Sequence, residues 1–240
     1  MKIALIGYGK MGQAIDAIAT AKGHEVVLRI DMNSQHLLEK EHLSKADVAI
    51  EFTTPETAYH NILKCFEANV PVVSGTTGWL EKLPEIKALA VEKNQGFLHA
   101  TNFSIGVNIF FEVNKRLASL MAGQPQYNVQ MEEIHHTQKK DAPSGTAITL
   151  AEQVLASVTR KTGWVNEETS KPENLAIISK RIDPAPGTHT ITYTSAIDDI
   201  SITHTAHSRE GFAAGAVVAA EWLKGKTGVF SMKEVLGIGD

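Results

Sequence analysis

The feature that most constrains this chain is a glycine-rich turn between its first apolar run and its first helical pattern. Residues 3–6 are typical of a buried strand, residues 7–12 spell G-Y-G-K-M-G, and a helical pattern continues to residue 21. Glycines at this spacing permit a tight turn, a close backbone approach to a pyrophosphate and close packing of helix on strand. The motif therefore predicts a dinucleotide site at the start of the helix. Its expected contacts are Gly7, Tyr8, Gly9, Lys10, Met11 and Gly12.

An acidic residue, Asp31, follows the second predicted strand, residues 25–30. It lies about 20 residues past the motif, where a carboxylate accepts hydrogen bonds from the adenosine ribose and repels a 2′-phosphate. The next residue is Met32, so no arginine stands beside it to hold such a phosphate. We therefore expect NADH as the preferred cofactor and NADPH as the second. A glycine turn without a ligand is the alternative, which the agreement of motif, spacing and acid disfavours.

Short apolar runs alternate with helical patterns through the first hundred residues. Further strands are predicted at 47–52, 70–74 and 96–100. This alternation predicts an α/β fold with a Rossmann-type doubly wound parallel sheet. Ligands of such sheets bind beyond the carboxyl ends of the strands, so the residues that follow each strand become candidate cofactor contacts. They are Phe52, Gly75, Thr76, Thr77, Ala100, Thr101, Asn102 and Phe103.

The second part of the chain has a different pattern. A long amphipathic helix is predicted over residues 104–121. Its shared apolar face contains Ile105, Ile109, Val113 and Leu117. Strand-like alternation at 127–136, 176–181, 188–195 and 200–206, with helices at 144–158 and 210–223, predicts an α+β domain with a mixed sheet. Residues 163–172 are the best candidate for a mobile loop.

Composition excludes several classes of protein. Of the 240 residues 43% are hydrophobic, a normal globular share. The single cysteine, Cys65, excludes a disulfide-stapled secreted scaffold and favours a cytoplasmic location. The net charge is −4, and no basic stripe indicates nucleic-acid binding. Since no apolar run reaches the roughly 18 residues of a membrane span, we expect neither a nucleic-acid nor a membrane partner.

The most unusual stretch is residues 132–147, where two adjacent histidines end a predicted strand and a Pro-Ser-Gly-Thr turn leads into a helix. Strand alternation points His135 and His136 to opposite faces. The N–H groups of Gly145 and Thr146 lie in the first helical turn, which favours an anion, and Lys139 adds positive charge. The stretch predicts a site for a small carboxylate or phosphate beside a histidine suited to proton transfer.

Two other interpretations of this stretch were weighed. A metal site would use Glu133, His135 and His136, but adjacent strand residues diverge, so we predict no metal. The histidines could also belong to a solvated loop. Acid–base chemistry is favoured because a dinucleotide domain needs a substrate domain to face it.

Residues 133–147 resemble the E-x-H-H-x-x-K-x-D-A-P-S-G-T-A signature of the dihydrodipicolinate reductase family, whose members are now described as 4-hydroxy-tetrahydrodipicolinate reductases. Other marks of the family occur in order along the whole chain. They are G-x-G-x-x-G at 7–12, E-F-T at 51–53, G-T-T-G at 75–78, N-F-S-I-G-V-N at 102–108, Ser208-Arg209, F-A at 212–213 and G-A at 215–216.

The resemblance implies an NAD(P)H-dependent oxidoreductase of diaminopimelate and lysine biosynthesis, which reduces 4-hydroxy-tetrahydrodipicolinate (dihydrodipicolinate) to tetrahydrodipicolinate. The substrate is a small cyclic dicarboxylate. The resemblance assigns His135 as the proton donor and Lys139 as a second catalytic residue. It also assigns His136, Gly145 and Thr146 as substrate contacts.

The resemblance also implies how the chain is organised. The tail returns to the first domain, so that residues 1–103 and 207–240 form the dinucleotide-binding domain. Residues 104–206 form the substrate-binding and oligomerisation domain, whose sheet assembles a homotetramer. Two other functions are weaker candidates. Another two-domain amino-acid-pathway dehydrogenase has no use for the histidine–lysine signature, and a non-catalytic dinucleotide-sensing module needs only the first domain.

Overall fold

A computed structural model describes residues 1–208 and 210–238 of the chain. It divides into two compact units, Met1–Ile105 with Glu210–Asp240, and Gly106–Arg209. Arg209, which contributes to the family resemblance, and residues 239–240 of the predicted first domain lie outside the described residues.

The secondary structure of the described residues alternates regularly before residue 105. The strands are β1 (Lys2–Ile6), β2 (Glu25–Ile30), β3 (Val48–Glu51), β4 (Val72–Ser74), β5 (Gly96–His99), β6 (Asn128–His135), β7 (Gly163–Val165), β8 (Asn174–Arg181), β9 (Gly187–Thr194), β10 (Asp199–Ala206) and β11 (Gly228–Phe230). The helices are α1 (Lys10–Ala21), α2 (Lys40–Leu43), α3 (Pro55–Glu67), α4 (Leu83–Glu92), α5 (Ile105–Met121), α6 (Gly145–Ser157), α7 (Glu210–Leu223) and α8 (Met232–Val235). Short 3₁₀ helices lie at Gln35–Leu37 and Leu80–Lys82.

The first unit is built on a six-stranded sheet in the order β11-β5-β4-β3-β1-β2, and its paired strands are parallel. Successive residues of β1 enter different cores, with Ala4 and Ile6 in one and Ile3 and Leu5 in the other. A parallel strand buried on both faces explains why these runs are continuously apolar rather than alternating. The predicted doubly wound α/β fold is confirmed, and the strands differ from their predicted limits only at the ends.

The chain's tail completes the first unit. The strand β11, which the sequence analysis did not predict, pairs in parallel with β5 at the edge of the sheet. The helix α7 packs small residues such as Ala213, Ala216 and Ala220 into the core that also contains Ile3 and Leu5. Small side chains let a helix approach the sheet closely, so the tail is part of this unit's hydrophobic core.

Gly215 on α7 gives a test of this close packing. A Cβ atom at this position would overlap the backbone carbonyl of Phe103, whereas a Cβ at Gly211, one turn earlier, would lie 3.6 Å from Ser104 Oγ. We expect Gly215→Ala to lower the free energy of unfolding by about 1–3 kcal/mol. Gly211→Ala, the matched control, should have no effect or a small stabilising one. Thermal unfolding measures both, and equal unfolding temperatures would contradict the packing argument.

The second unit is built on a five-stranded mixed sheet in the order β10-β9-β6-β8-β7. The pairs β10–β9 and β9–β6 are antiparallel, while β6–β8 and β8–β7 are parallel. Burial along β9 alternates residue by residue, with Ile191 and Tyr193 in the core and the threonines between them half-exposed. The predicted mixed sheet with one buried face is confirmed.

Two local predictions need correction. The apolar face predicted for the long helix is mostly exposed, since Ile105, Ile109 and Val113 are exposed and only Leu117 packs against the core. The core face of α5 instead contains Val107, Phe110, Asn114, Ala118 and Met121. The helix has two apolar stripes. The stripe that packs against the core contains a buried asparagine, so its apolar pattern is interrupted. In the predicted loop 163–172, Gly163–Val165 pairs with β8 as an edge strand.

No helix within residues 1–208 and 210–238 combines the length and apolar character that a membrane span requires.

Candidate active site

The glycine turn of the first unit is shaped by its surroundings. Gly7 has a φ of +96°, and a Cβ there would overlap the carbonyl oxygen of Phe52. A Cβ at Gly12 would overlap the carbonyl oxygen of Gly7. Both positions therefore need glycine for the turn itself and for the packing of α1 on the turn.

Gly9 is different, because a Cβ there would lie within 4 Å of no described residue other than its chain neighbours. Its backbone is extended, and no side chain caps the start of α1 that follows it. The protein's own packing does not require glycine here, whereas a phosphate approaching the helix start would require it. This open cradle fits the pyrophosphate of a dinucleotide.

Asp31 lies after β2, with one carboxylate oxygen already engaged. Its Oδ1 accepts hydrogen bonds from the hydroxyl of Ser34 at 2.8 Å and from the N–H groups of Asn33 and Ser34 at 2.8 and 3.0 Å. The hydrogen bond from the Ser34 hydroxyl, then that from the Asn33 backbone, keep the pKa of Asp31 below its ordinary value. The carboxylate is therefore ionised at neutral pH.

Arg29, on the same strand β2, is paired with a carboxylate of the protein. Arg29 donates to both carboxylate oxygens of Asp16, at 2.6 and 3.0 Å. Tyr8, inside the glycine motif, donates its hydroxyl to the same carboxylate at 2.5 Å. Asp16 therefore holds the arginine and ties the glycine motif to α1.

The residues that follow β3, β4 and β5 lie at one edge of the parallel sheet, as predicted. The rings of Phe52 and Phe103 lie 5.5 Å apart, and a Cβ at Gly75 would overlap the ring of Phe52. Beneath them, Glu51 is fully buried and accepts from Ser74 Oγ at 2.7 Å and Thr76 Oγ1 at 2.8 Å. The structure thus brings together the loops of neighbouring strands, and the side chain of Thr76 is engaged below them.

In the second unit, α6 begins at the turn predicted to bind an anion. Ser144 is the N-cap, and its hydroxyl accepts from Ala147 N at 3.2 Å. Gly145 is exposed and Thr146 is half-buried. Among residues 1–208 and 210–238, none beyond the local chain would lie within 4 Å of a Cβ at Gly145. The first turn of α6 presents backbone N–H groups and the positive end of the helix dipole, which favour negative charge.

His135 ends β6 and is 8% exposed. Its Nδ1 lies 3.3 Å from the carbonyl oxygen of Pro186, and its Nε2 lies 3.4 Å from Glu133 Oε2. The carbonyl oxygen of Pro186 therefore accepts from Nδ1, whereas Nε2 faces the carboxylate without a hydrogen-bond partner among the described residues. Lys139, four residues on, places its ammonium 2.8 Å from both carboxylate oxygens of Asp141. The half-buried His136 follows the strand.

Glu133, two residues before His135 on β6, is fully buried. Burial raises its pKa, but hydrogen bonds from His135, Ser144 and Ser179 outweigh burial and hold the pKa well below its usual range. Arg181 NH2 lies 3.3 Å from Oε1 and supplies the counter-charge. The carboxylate is therefore ionised and saturated with donors.

Two protein-family models match the chain. The model described as dihydrodipicolinate reductase, N-terminus, matches residues 1–103, and its C-terminal counterpart matches residues 106–236. The chain belongs to the dihydrodipicolinate reductase family.

Individual relatives agree with this assignment. A 4-hydroxy-tetrahydrodipicolinate reductase of Christiangramia forsetii is 50% identical over 238 residues, covering 98% of each chain. One from Neisseria gonorrhoeae is 35% identical over 205 residues, covering 82% of this chain and 74% of its own. Among solved structures, a dipicolinate-bound dihydrodipicolinate reductase from Paenisporosarcina sp. TG-14 superposes with a TM-score of 0.78 at 25% identity, covering 100% and 99% of the two chains.

Membership of this family confirms the resemblance predicted from residues 133–147. The chain is an oxidoreductase whose family uses a nicotinamide dinucleotide and works in diaminopimelate and lysine biosynthesis. A probable dehydrogenase from Thermotoga maritima shares the fold, with a TM-score of 0.60 at 10% identity. Because both parts of the chain match the dihydrodipicolinate reductase models, a different dehydrogenase and a sensing module are no longer supported as alternatives.

Two buried residues of the reductase were missed as parts of the site. Glu51 was noted only within a motif, and His189 was not singled out. His189 lies opposite Glu133 in the β6–β9 register, with its Nε2 3.1 Å from Ser144 Oγ. Burial, and then the charge of His135, lower its pKa to about 4. The inward position of a histidine on an alternating strand was a signal, but its partner depends on strand pairing.

Glu133, His135 and His189 also have ligand atoms within 4.8 Å of one another, a spacing that a metal ion could use. This set differs from Glu133, His135 and His136, which the sequence analysis weighed as metal ligands and did not favour. Ser144 N–H, Ser179 Oγ and Arg181 already donate to the carboxylate. The donor pattern favours a hydrogen-bonded network at this place.

Proposed function

We propose that this chain reduces 4-hydroxy-tetrahydrodipicolinate, a small cyclic dicarboxylate, to tetrahydrodipicolinate, with NADH preferred over NADPH. The single observation that carries this proposal is the arrangement of His135 and the open α6 start around Glu133 within a chain of this family. A bound nicotinamide supplies the hydride. The relatives named for this reaction support the substrate assignment.

We assign the cofactor to the first unit and the substrate to the second, as predicted for residues 1–103 with 207–240 and residues 104–206. The cradle at Gly9 would hold the pyrophosphate, and Asp31 would accept from the ribose hydroxyls. The strand-end residues Phe52, Gly75–Thr77 and 100–103 would line the rest of the cofactor.

The substrate's carboxylate would bind the N–H groups of Gly145 and Thr146 at the start of α6. Lys139, whose ammonium lies at a half-buried position beside Asp141, would contribute positive charge and a second donor. His136 would complete the contacts. A dicarboxylate suits this combination, because a helix start and a lysine each favour one negative group.

His135 would donate the proton. The 4-hydroxyl group leaves as water, which gives the cyclic unsaturated imine. Hydride addition to this imine leaves an electron-rich enamine, and one proton on the enamine carbon restores the ring imine. The imidazole can carry that proton on Nε2, which has no hydrogen-bond partner among the described residues, and it is recharged from solvent after each turnover.

The direct test follows NADH absorbance in the presence of the enzymatically generated cyclic substrate. Oxidation that depends on the substrate supports the proposal. Binding of NADH without turnover would overturn it and would favour a dinucleotide sensor.

We further propose a cytoplasmic homotetramer assembled through the second unit's sheet. Its support is a solvent-facing row of paired hydroxyl groups on β9 and β10. The Oγ1 atoms of Thr190 and Thr203 lie 3.1 Å apart, and Thr192 Oγ1 lies 2.9 Å from Ser201 Oγ. A polar sheet face of this kind can pair with a copy of itself.

Asp31 should decide between the two cofactors. Asp31→Asn removes the charge that repels a 2′-phosphate and keeps the side chain's size. We expect the ratio of kcat/KM for NADPH to that for NADH to rise about tenfold, equivalent to about 1.4 kcal/mol. Glu25→Gln, at the exposed opposite end of the same strand, is the control. An unchanged ratio in Asp31→Asn would show that coenzyme choice is set elsewhere.

A further inference from the structure

A buried carboxylate lies beneath the two groups that the proposed reaction needs in the second unit. Glu133 contacts no solvent, and it accepts the backbone N–H of Ser144 at 3.1 Å on both of its oxygens. Its Oε2 also lies 3.4 Å from His135 Nε2. One side chain therefore touches the proposed proton donor and the residue that starts the anion-binding helix.

The position of this carboxylate is itself fixed. Ser179 Oγ donates to Oε1 at 2.7 Å, and Arg181 NH2 lies 3.3 Å from the same oxygen. Arg181 in turn donates to the carbonyl oxygens of Asp141, at 2.6 Å, and Lys139, at 3.3 Å. The network reaches the backbone of the loop that carries the proposed lysine, so displacement of Glu133 would disturb three parts of the site.

His189, on the neighbouring strand β9, contacts Ser144 and His135, the two residues that Glu133 also contacts. Its Nε2 lies 3.1 Å from the hydroxyl of Ser144, which caps α6, and its ring packs edge-on to His135 with centroids 5.1 Å apart. A Cβ at Gly187 would lie 2.9 Å from His135 Cε1, so the ring is confined on that side as well. His135 thus has little freedom to turn within this enclosure.

We propose that Glu133 is a positioning residue of the reductase, with His189 as its companion. The Glu133 carboxylate orients both the His135 ring and the first turn of α6. His189 supports the ring by packing against it and supports the helix start by its contact with the Ser144 hydroxyl. The inference rests on the proposed roles of His135 and of the helix start. It explains why a residue that no substrate reaches stands two positions before the donor.

The test replaces each of two neighbouring glutamates. Glu133→Gln keeps the size and loses the charge, while the control Glu132→Gln alters the adjacent residue, which is half-exposed and paired with Lys180 at 2.5 Å. For Glu133→Gln we expect kcat to fall 10- to 100-fold, since a misplacement of about 1 Å costs on the order of 10²-fold. Dipicolinate binding, measured by calorimetry, should weaken about tenfold, and NADH binding should be retained. Glu132→Gln should have the same kcat, dipicolinate affinity and NADH affinity as the protein without a substitution.

An isotope effect separates positioning from a loss of folded protein. Impaired donation makes proton transfer more rate-limiting, so the D₂O effect on kcat should increase in Glu133→Gln. A merely structural role would lower kcat and leave this effect unchanged. If the unchanged protein does not reduce the cyclic substrate, the proposed function itself fails. If that protein is active and Glu133→Gln keeps its kcat and dipicolinate affinity within twofold, only the positioning role fails.

Milder variants decide the matter if Glu133→Gln does not fold. Ser179→Ala removes one donor to the carboxylate, and His189→Asn keeps an amide near the Ser144 hydroxyl. Both should lower kcat by a smaller factor and increase the D₂O effect. Folded variants in which neither quantity changes would overturn the proposal.

Discussion

Replacement of His135 by glutamine is expected to lower kcat by about 10²–10⁴-fold, the usual contribution of a positioned acid or base. Glutamine can still donate to the carbonyl oxygen of Pro186, which lies 3.3 Å from His135 Nδ1, so the loop keeps a partner. It cannot exchange a proton near neutral pH. Steady-state kinetics with NADH and the cyclic substrate measure the loss, and dipicolinate should still bind.

The control for this experiment is His60→Gln, which alters an exposed histidine on α3 in the first unit. It should leave kcat unchanged. Full activity of His135→Gln would remove His135 from the chemistry and would leave Lys139 as the remaining candidate donor. A loss of dipicolinate binding in that variant would indicate that the glutamine disturbs the start of α6, and the kinetic loss could not then be assigned to proton transfer.

The fold of the first unit was predictable because its signals are local. The turn at Gly7 needs a residue that tolerates positive φ, and a strand buried along its whole length, such as β3, starts with a continuous apolar run at residues 48–50. The α/β alternation follows from these runs. The short strand β11 was missed because three residues at a sheet edge carry no periodic signal.

The orientation of α5 was not predictable by counting apolar residues. Asn114 is fully buried, and its amide donates to the carbonyl oxygen of Leu150 at 3.0 Å. A polar core residue is acceptable because its partner is in place, but the partner lies 36 positions away in sequence. Helical periodicity cannot detect such a partner, so the fully apolar stripe was favoured over the one that packs.

The candidate site shows the same limit. Residues 133–147 form one continuous segment, and the donor, the lysine and the helix start could all be found there. The residues that hold them come from elsewhere, because His189 meets Glu133 only through the antiparallel register of β6 and β9. Glu51 likewise joins loops through Ser74 and Thr76, on another strand and the loop after it. In both units a fully buried carboxylate lies under the loops that carry the predicted contacts, and sequence motifs found the loops first.

Substitution of Gly9 by alanine is expected to separate the cofactor's requirement for glycine from the protein's. The extended backbone of Gly9 accepts alanine. Since the added Cβ would lie within 4 Å of no described residue beyond its chain neighbours, the unfolding temperature should not change. The methyl group would instead occupy the space beside the free N–H groups of α1, where we place the pyrophosphate. We expect the Kd for NADH to rise on the order of 100-fold, or about 2.7 kcal/mol.

Two further variants make this result decisive. Gly7→Ala should destabilise the fold, because its φ is +96° and its Cβ would overlap the carbonyl oxygen of Phe52. Gly123→Ala should change neither stability nor NADH binding, because a Cβ there also lies within 4 Å of no residue in the described part of the chain except its neighbours. Calorimetric titration with NADH and thermal unfolding of the three variants measure the contrast. A Gly9→Ala protein that binds NADH normally would show that the pyrophosphate does not approach this turn.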